Sequence, residues 1–421
     1  MIINDPVHGF IDIPKGIITS LVKHPYFVRL NRIEQLGATS YVYPGGRHTR
    51  FSHSIGTLHL ITIALETLRN KGCDISPHEA ESVKIAMLLH DIGHGPMSHC
   101  LERHFVECMS HEELSLLLMK QLNNEFNGQL STAIEIFTDR YPKHFLHELI
   151  CSQLDMDRLD YLCRDSFFAG VREGNIGVER IIKMLNVRDD RLVVEAKGIY
   201  TIENYLMSRR LMYWQVYLHK TTLAASETLS TTILRAKELA SAGLSLPSPH
   251  CLEYFLRNKV NKEFIDNNPQ FLDQFIMLDD SDIISAIKEW TRHHDKTLSL
   301  LASNYTNRNL YKVKELATPI DTQTMIQLHH DVAARLNIAP DCAHYFVRPR
   351  EVSQMLYSTA DDHINIVMKD NTVRDISNFS ELLHSEMVDR RSRRHYLFIQ
   401  RGIEINNKTY FTALQTNKPL E

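Results

Sequence analysis

An apolar run ending in an adjacent histidine and aspartate constrains this chain more than any other stretch: Ala86-Met-Leu-Leu-His90-Asp91-Ile-Gly-His94-Gly-Pro-Met-Ser-His99. Upstream, Ser76 with Glu79 three residues on reads as a capping box around Pro77 at the first helical position. A helix then runs through Val83, Ala86, Met87 and Leu89 until Gly93, Gly95 and Pro96 stop it. A metal-ligating imidazole and a carboxylate that can share its ion therefore stand together at the end of a buried rod. Neighbours on an ideal helix diverge by about 100°, so both reach one ion only near such an end or with the carboxylate bridging.

The rest of the chain supplies partners for this pair. Ile55, Leu58, Ile61, Leu65 and Leu68 recur at helical spacing, which predicts a helix over Ser52–Leu68 and puts His53 in its first turn. Asp157 lies in a further predicted helix, His147–Cys163. His53, His90, Asp91 and Asp157 would offer an ion two imidazoles and two carboxylates. That mixture suits Fe, Mn, Zn, Co or Ni better than an all-oxygen Mg²⁺ or Ca²⁺ site. A lone His-Asp pair is more often structural than ligating. The Gly-His-Gly-Pro that follows it and the earlier helical histidine tip the balance to metal.

Elsewhere the pattern is mostly helical. Residues 1–15 read as an extended arm, Ile17–Leu36 as a helix interrupted near His24-Pro25, and Pro44-Gly45-Gly46 as a loop holding Arg47, His48 and Arg50. Leu101–Phe126, Leu130–Phe137 and a long stretch Thr201–Ala240 read as helices, and Arg191–Glu195 as one strand of a hairpin. Ser241–Pro249 is the clearest boundary candidate, dividing a 1–240 core from a 241–421 α+β region expected to pack on it and to take part in oligomer contacts. In that region 251–302 and 322–336 look helical, while Ile364–Met368, His395–Gln400 and Lys408–Thr412 look like strands. The fold class is mainly α, a helical core with small β hairpins.

Composition limits the function classes. Across 421 residues, Lys+Arg 47 against Asp+Glu 51 leaves a formal charge of −4, so no basic field marks a dedicated nucleic-acid binder. Seven cysteines with no C-x-x-C pair argue for free thiols in a reducing, cytoplasmic setting. The N-terminus has no signal-peptide pattern, and no apolar run approaches the ~20 residues a bilayer requires. Arg390-Arg-Ser-Arg-Arg-His395 is the one dense basic cluster. It reads first as a solvated loop and second as a contact for a regulatory nucleotide or a nucleic-acid backbone.

The order His53 … His90-Asp91 … Asp157 resembles the four-residue signature of the HD superfamily of metal-dependent phosphohydrolases. Ile3-Asn-Asp-Pro-Val-His-Gly9, Gln35-Leu36-Gly37, Tyr43-Pro-Gly45, Arg50-Phe-Ser-His53-Ser-Ile-Gly56, Leu89-His90-Asp91-Ile-Gly-His94-Gly-Pro96, Asp155-Met-Asp157-Arg-Leu-Asp-Tyr161 and Arg164-Asp165 are similar, more narrowly, to the deoxynucleoside triphosphate triphosphohydrolases. That family includes the animal SAM-and-HD-domain enzyme and bacterial relatives. The likeness runs from Ile3 to about Lys220, roughly the first half.

The resemblance implies hydrolysis at the α-phosphorus of a dNTP, releasing deoxynucleoside and inorganic triphosphate, with Mg²⁺ accompanying the phosphates. It implies that His94, His99 and His111 line the α-phosphate, with His99 or His111 as the acid and Glu112 beside them. Glu102 stands where the animal enzyme has an aspartate orienting a histidine, one methylene longer. Arg50, Arg158, Arg209 and Lys220 are the implied phosphate cations. Gln35 and Asp165 would hold the sugar 3′-OH, Leu36 and Tyr217 would crowd its 2′ position, and Tyr161 would pack along sugar and phosphates. Tyr213 replaces a histidine near the base, so base preference does not transfer. Lys23, Val28 and Asn31 replace guanine-reading regulatory residues, so no GTP activation through an equivalent pocket is expected, while activation by a dNTP elsewhere stays open. A homo-oligomer, dimer or tetramer, is implied. Two other readings stand beside this one: an HD-type phosphoesterase on monophosphates, cyclic nucleotides or guanosine polyphosphates, and a non-catalytic nucleotide sensor.

Overall fold

Helices carry the architecture and the sheets are small, in a computed structural model that describes residues 1–355, 357, 363–380 and 391–403. The Arg50–Asn70 helix, begun by the Thr49 side chain, packs between Pro77–Leu89 and Met156–Ala169. The Ser76–Glu79 capping box and Pro77 start the second of these as the sequence predicts, and it ends at Leu89 with His90 as its C-cap. The extended arm is an antiparallel hairpin, Ile2–Asp5 against Gly9–Asp12.

Three predicted helices are broken, each for a local reason. Leu101–Phe126 splits into Glu102–Phe105 and His111–Glu125, because Val106 is extended, Cys108 turns left-handed and Ser110–Glu113 forms a fresh capping box. His147–Cys163 gives way to His144–Glu148 and Met156–Ala169, the latter capped by the Asp155 carboxylate on Arg158 N at 2.7 Å. Thr201–Ala240 becomes Ile199–Met212, a π-helical turn at Tyr213–Tyr217, and Lys220–Ser241. The Leu218 amide reaches back five residues to the Tyr213 carbonyl, and the His219 ring caps the helix that follows.

Beyond residue 241, helices His250–Arg257, Phe271–Met277, Asp280–Trp290 and Lys296–Thr306 bury Leu252, Phe255, Phe275, Ile287 and Trp290 in the same core as the helices above. Leu185–Arg188 and Arg191–Glu195 form the expected hairpin, which Asn365–Val367 joins in parallel and Val373–Asp375 extends. Arg391–Ile399 lies between Lys312–Leu316 and Val347–Met355 in a three-stranded sheet over its own small core. The strand expected at Lys408–Thr412 and the first residue of the basic run, Arg390, lie outside the described residues. No helix among the described residues is long and apolar enough to cross a membrane.

Candidate metal centre and cleft

Three separate helices bring the proposed metal donors together. His53, four residues past its cap, faces His90 and Asp91 at the end of the Pro77–Leu89 helix, and one ligand atom of each lies within 4.8 Å of the others. Asp157 Oδ1 stands 3.0 Å from His53 Nε2, out of line for a hydrogen bond, and 3.6 Å from His90 Nε2. Asp91 Oδ1 lies 3.4 Å from His90 Nε2 and its Oδ2 3.7 Å from His53 Nε2.

The other ring nitrogens are already engaged. His53 Nδ1 bonds Asp160 at 2.7 Å and His90 Nδ1 donates to the Met87 carbonyl at 2.7 Å. Both Nε2 atoms are buried, point at the two carboxylates and make no hydrogen bond. Orphaned imidazole nitrogens facing carboxylates, each ring fixed from behind, fit a divalent transition ion. Electrostatics agree. Burial opposes charge on every one of these groups, yet Asp157 and Asp160 lift His53 to about 10, and Asp91 with Asp157 raises His90. Against the same burial, His90 and Arg50 hold Asp91 well below the carboxylate range, and the two imidazoles do so for Asp157. The corner is a well for positive charge.

Asp160 was not singled out from sequence, and it is the hinge of this corner. It accepts from His8 Nε2 at 2.6 Å and from Arg164 at 2.8 and 3.0 Å, and Arg164 in turn grips Asp5 at 2.7 Å. The N-terminal hairpin is thus tied to the back of a proposed ligand. Gly56 is required here, because a Cβ would collide with Asp160 Oδ1 and Arg164 Nη2.

Beside the metal corner, His94, His99 and His111 cluster. His94 stacks on His111 with centroids 3.9 Å apart, and His99 meets both edge-on. Gly93 permits this, since a Cβ there would strike the His111 carbonyl and Ser115 N. Glu102 holds two of the three rings, with His111 Nδ1 at 2.7 Å and His99 Nδ1 at 3.2 Å, and it also accepts the His111 amide. The longer side chain therefore still reaches. Burial opposes it, but His111 and His99 hold the Glu102 carboxyl well below its usual range. Despite its own burial, His111 is raised by Glu102, Asp91 and Glu112, whose Oε1 is 3.2 Å from its Nε2. His94 is pushed well down by burial and Arg50.

One cavity of about 520 Å³ joins these groups to a polar end holding Gln35, Asp165, Tyr161, Tyr213 and Tyr217. Asp165 is gripped on both oxygens, by His48 Nε2 at 2.8 Å and by the Tyr217 hydroxyl at 2.6 Å. Gln35 Oε1 is buried with no hydrogen bond. Arg50 and Arg158 line the same cavity. Arg50 pairs with Asp91 and donates to Ser98 Oγ, while Arg158 is tied to Asp155 and the Ser152 carbonyl.

Three of the residues expected at the substrate stand off this wall. Leu36 packs against Gly46, Arg209 bonds Gln153 at 2.9 Å, and Lys220 sits in another surface hollow with Glu315 at 3.2 Å. Sequence reasoning also missed Arg29, a buried guanidinium that donates to the carbonyls of Ile92 at 3.3 Å and His94 at 2.5 Å. Asp160 could have been noticed one helical turn past Asp157. His48 and Arg29 carry no local signal, because their partners lie 117 and more than 60 residues away.

Known proteins resemble this chain in sequence and in fold. The HD domain model matches residues 50–165 and the HD associated region model residues 176–243. The crystal structure of a phosphohydrolase from Bacteroides thetaiotaomicron superposes with a TM-score of 0.92 at 52% identity, covering 95% of this chain and 100% of that one. The uncharacterized protein YwfO of Bacillus subtilis is 29% identical over 93% of this chain and 90% of its own length. Human SAMHD1, named a deoxynucleoside triphosphate triphosphohydrolase, is 27% identical over 58% of this chain and 46% of its own length. On this likeness and on its helical fold, the chain belongs to the HD-domain phosphohydrolase family.

Proposed function

We propose that this phosphohydrolase cleaves dNTPs to deoxynucleoside and inorganic triphosphate. The observation that carries the reading is a single cavity with a cation well at one end and, at the other, Asp165 gripped by Tyr217 and His48 beside the free acceptor Gln35 Oε1. A ligand spanning it has phosphate at the first end and a sugar hydroxyl at the second. The name of the SAMHD1 relatives supports the same substrate class.

His53, His90, Asp91 and Asp157 are the proposed ion ligands. Held there, a divalent ion would supply Lewis-acid polarisation of a phosphoryl oxygen and acidify a water. Arg50 and Arg158 meet the remaining phosphate oxygens. His111, its pKa raised by Glu102 against its own burial, presents Nε2 to the leaving 5′-oxygen and gives it a proton, and Glu102 balances the imidazolium. His94, held neutral, contributes a hydrogen bond rather than a charge. Gln35 and Asp165 take the 3′-OH, and the Tyr217 ring closes the space a 2′-OH would need. Residues 1–240 would form the catalytic unit, with 241–421 packed against it.

One observation favours a shorter substrate. Among the described residues lining the cavity, the arginines are Arg50 and Arg158, each already with a carboxylate partner, and His111 is the further cation for three phosphates. A nucleoside monophosphate is then the second reading. Incubating the protein with each dNTP, GTP and each dNMP under Mg²⁺, Mn²⁺ and Fe²⁺, and separating the products, decides between them. Deoxynucleoside with triphosphate supports the first; inorganic phosphate from dNMPs alone supports the second. Turnover only in dNTP mixtures would add nucleotide activation.

A further inference from the structure

The Asp280–Trp290 helix starts behind the cleft, and its first residue is used by none of the roles above. Asp280 Oδ2 accepts from Glu34 N at 2.8 Å and Oδ1 from Met97 N at 2.6 Å. These two amides belong to segments far apart in sequence that both reach the cavity. Gln35 follows Glu34, and Ser98-His99 follows Met97. Ser98 Oγ joins them again, donating to the Glu34 carbonyl at 2.8 Å and accepting from Arg50 Nε at 2.8 Å, and Arg50 pairs with Asp91. Met97 and Ser98 both sit in the left-handed region, at φ 56° and 47°. Non-glycine residues stay there only when their surroundings hold them.

A second contact from the same region meets the same turn. Phe275 lies under the Arg29 guanidinium at 4.7 Å, and Arg29 holds the carbonyls of Ile92 and His94. Asp279, the cap of the Asp280–Trp290 helix, pairs with Arg32 at 2.5 Å. The stretch 275–280 thus supports the His90–His99 turn and the Arg29–Gln35 segment through contacts that span 183 or more residues of sequence.

We infer that Asp280 is a positioning residue, which sets the Gln35 wall of the cleft in register with the His94–His99 turn and, through Ser98 and Arg50, with Asp91. In its ionised form the carboxylate offers two acceptor oxygens and no donor. Burial lifts the Asp280 carboxyl to about 7, and the Glu34 and Met97 amides are what favour the ionised form. An asparagine of the same size turns one oxygen into an N–H donor facing an amide, so one bond is lost; alanine loses both.

The kinetic consequence rests on the phosphohydrolase reading above, but the structural core of the inference does not, so two measurements separate them. Hydrogen–deuterium exchange on the full metal-loaded chain should show faster exchange in peptides covering 33–37 and 95–100 for Asp280→Ala, and a smaller change for Asp280→Asn, with the Arg50–Asn70 helix unchanged. Displacements at a catalytic cleft cost rate steeply, so kcat/KM on a dNTP should fall about tenfold for Asp280→Asn and further for Asp280→Ala, through both a lower kcat and a higher KM. Assays run well below the melting points of the variants. A lowered melting point with wild-type kcat and KM, or unchanged exchange in both segments, overturns the inference. Should Asp280→Ala fail to fold, Asp280→Asn carries both readouts alone. If the wild type releases no triphosphate from any dNTP, the substrate reading falls, and the exchange measurement still decides whether Asp280 holds the two segments.

Discussion

The metal corner and the histidine cluster stand side by side in one cavity and are built in opposite ways. At the corner, His53 and His90 are anchored through Nδ1 by Asp160 and the Met87 carbonyl, and their Nε2 atoms converge, unbonded, on two carboxylates. In the cluster, one carboxylate, Glu102, takes the Nδ1 atoms of His99 and His111, while His94 stacks on His111 and His99 meets both edge-on. The first arrangement fixes donors around a place for a cation. The second sets neighbouring imidazoles apart, with His111 raised and His94 lowered, so that one can hold a proton where the other does not. Imidazole chemistry alone does not distinguish a ligand from an acid; the partner behind each ring does.

This contrast is testable from its largest effect downward. His90→Ala or Asp91→Ala should abolish bound metal by elemental analysis and lower turnover by about a thousandfold or more, with the helical circular-dichroism signal retained. Retained metal in both variants would move the ion out of this corner. Glu102→Gln should leave metal content intact and cost about a hundredfold in kcat.

That variant also carries a pH signature with a definite sign. Glu102 raises His111, and an acid works while protonated, so wild-type kcat should fall as pH rises through the raised His111 value. Without the Glu102 charge the His111 pKa drops, and the alkaline limb should shift to lower pH. A shift to higher pH, or none, would remove His111 as the proton donor.

Asp160→Asn tests the second row of the corner. Its amide can no longer take a ring N–H, Arg164 and His8 together, so metal affinity in a chelator competition should weaken about ten- to a hundredfold. Turnover at saturating metal should recover most of its value, which separates this variant from Asp91→Ala. At the far end of the cavity, Tyr217→Phe removes the hydroxyl on Asp165 and should change kcat/KM by about tenfold. Its preference for dATP over ATP should alter less, because the ring that closes the 2′ space remains.

What was readable in the sequence differs between these regions for physical reasons. The start of the Pro77–Leu89 helix was legible because capping and periodicity act within a few residues. The break before His111 was also marked, by Ser110 and Glu113, but the apolar period running through Leu101–Phe126 hid it. The π-turn at Tyr213–Tyr217 leaves no mark in a helical pattern, yet it places two tyrosines on the cavity. Lys220 shows the limit of carrying roles across by likeness: its motif position matches, but here its ammonium turns to Glu315 and away from the cleft.

By itself, the sequence determined the helical class, the helix that presents His90-Asp91, and the proposed donor set His53, His90, Asp91 and Asp157, because ligand chemistry and helical periodicity are properties of short stretches. Only the tertiary structure decided which nitrogen of each ring faces the cavity, that Asp160, Arg164, His8 and Asp5 stand behind His53, and that Asp280 ties Glu34 to Met97. Most of these pairings join side chains and backbone groups more than a hundred residues apart. Packing alone brings them within reach, and no local pattern in the chain records it.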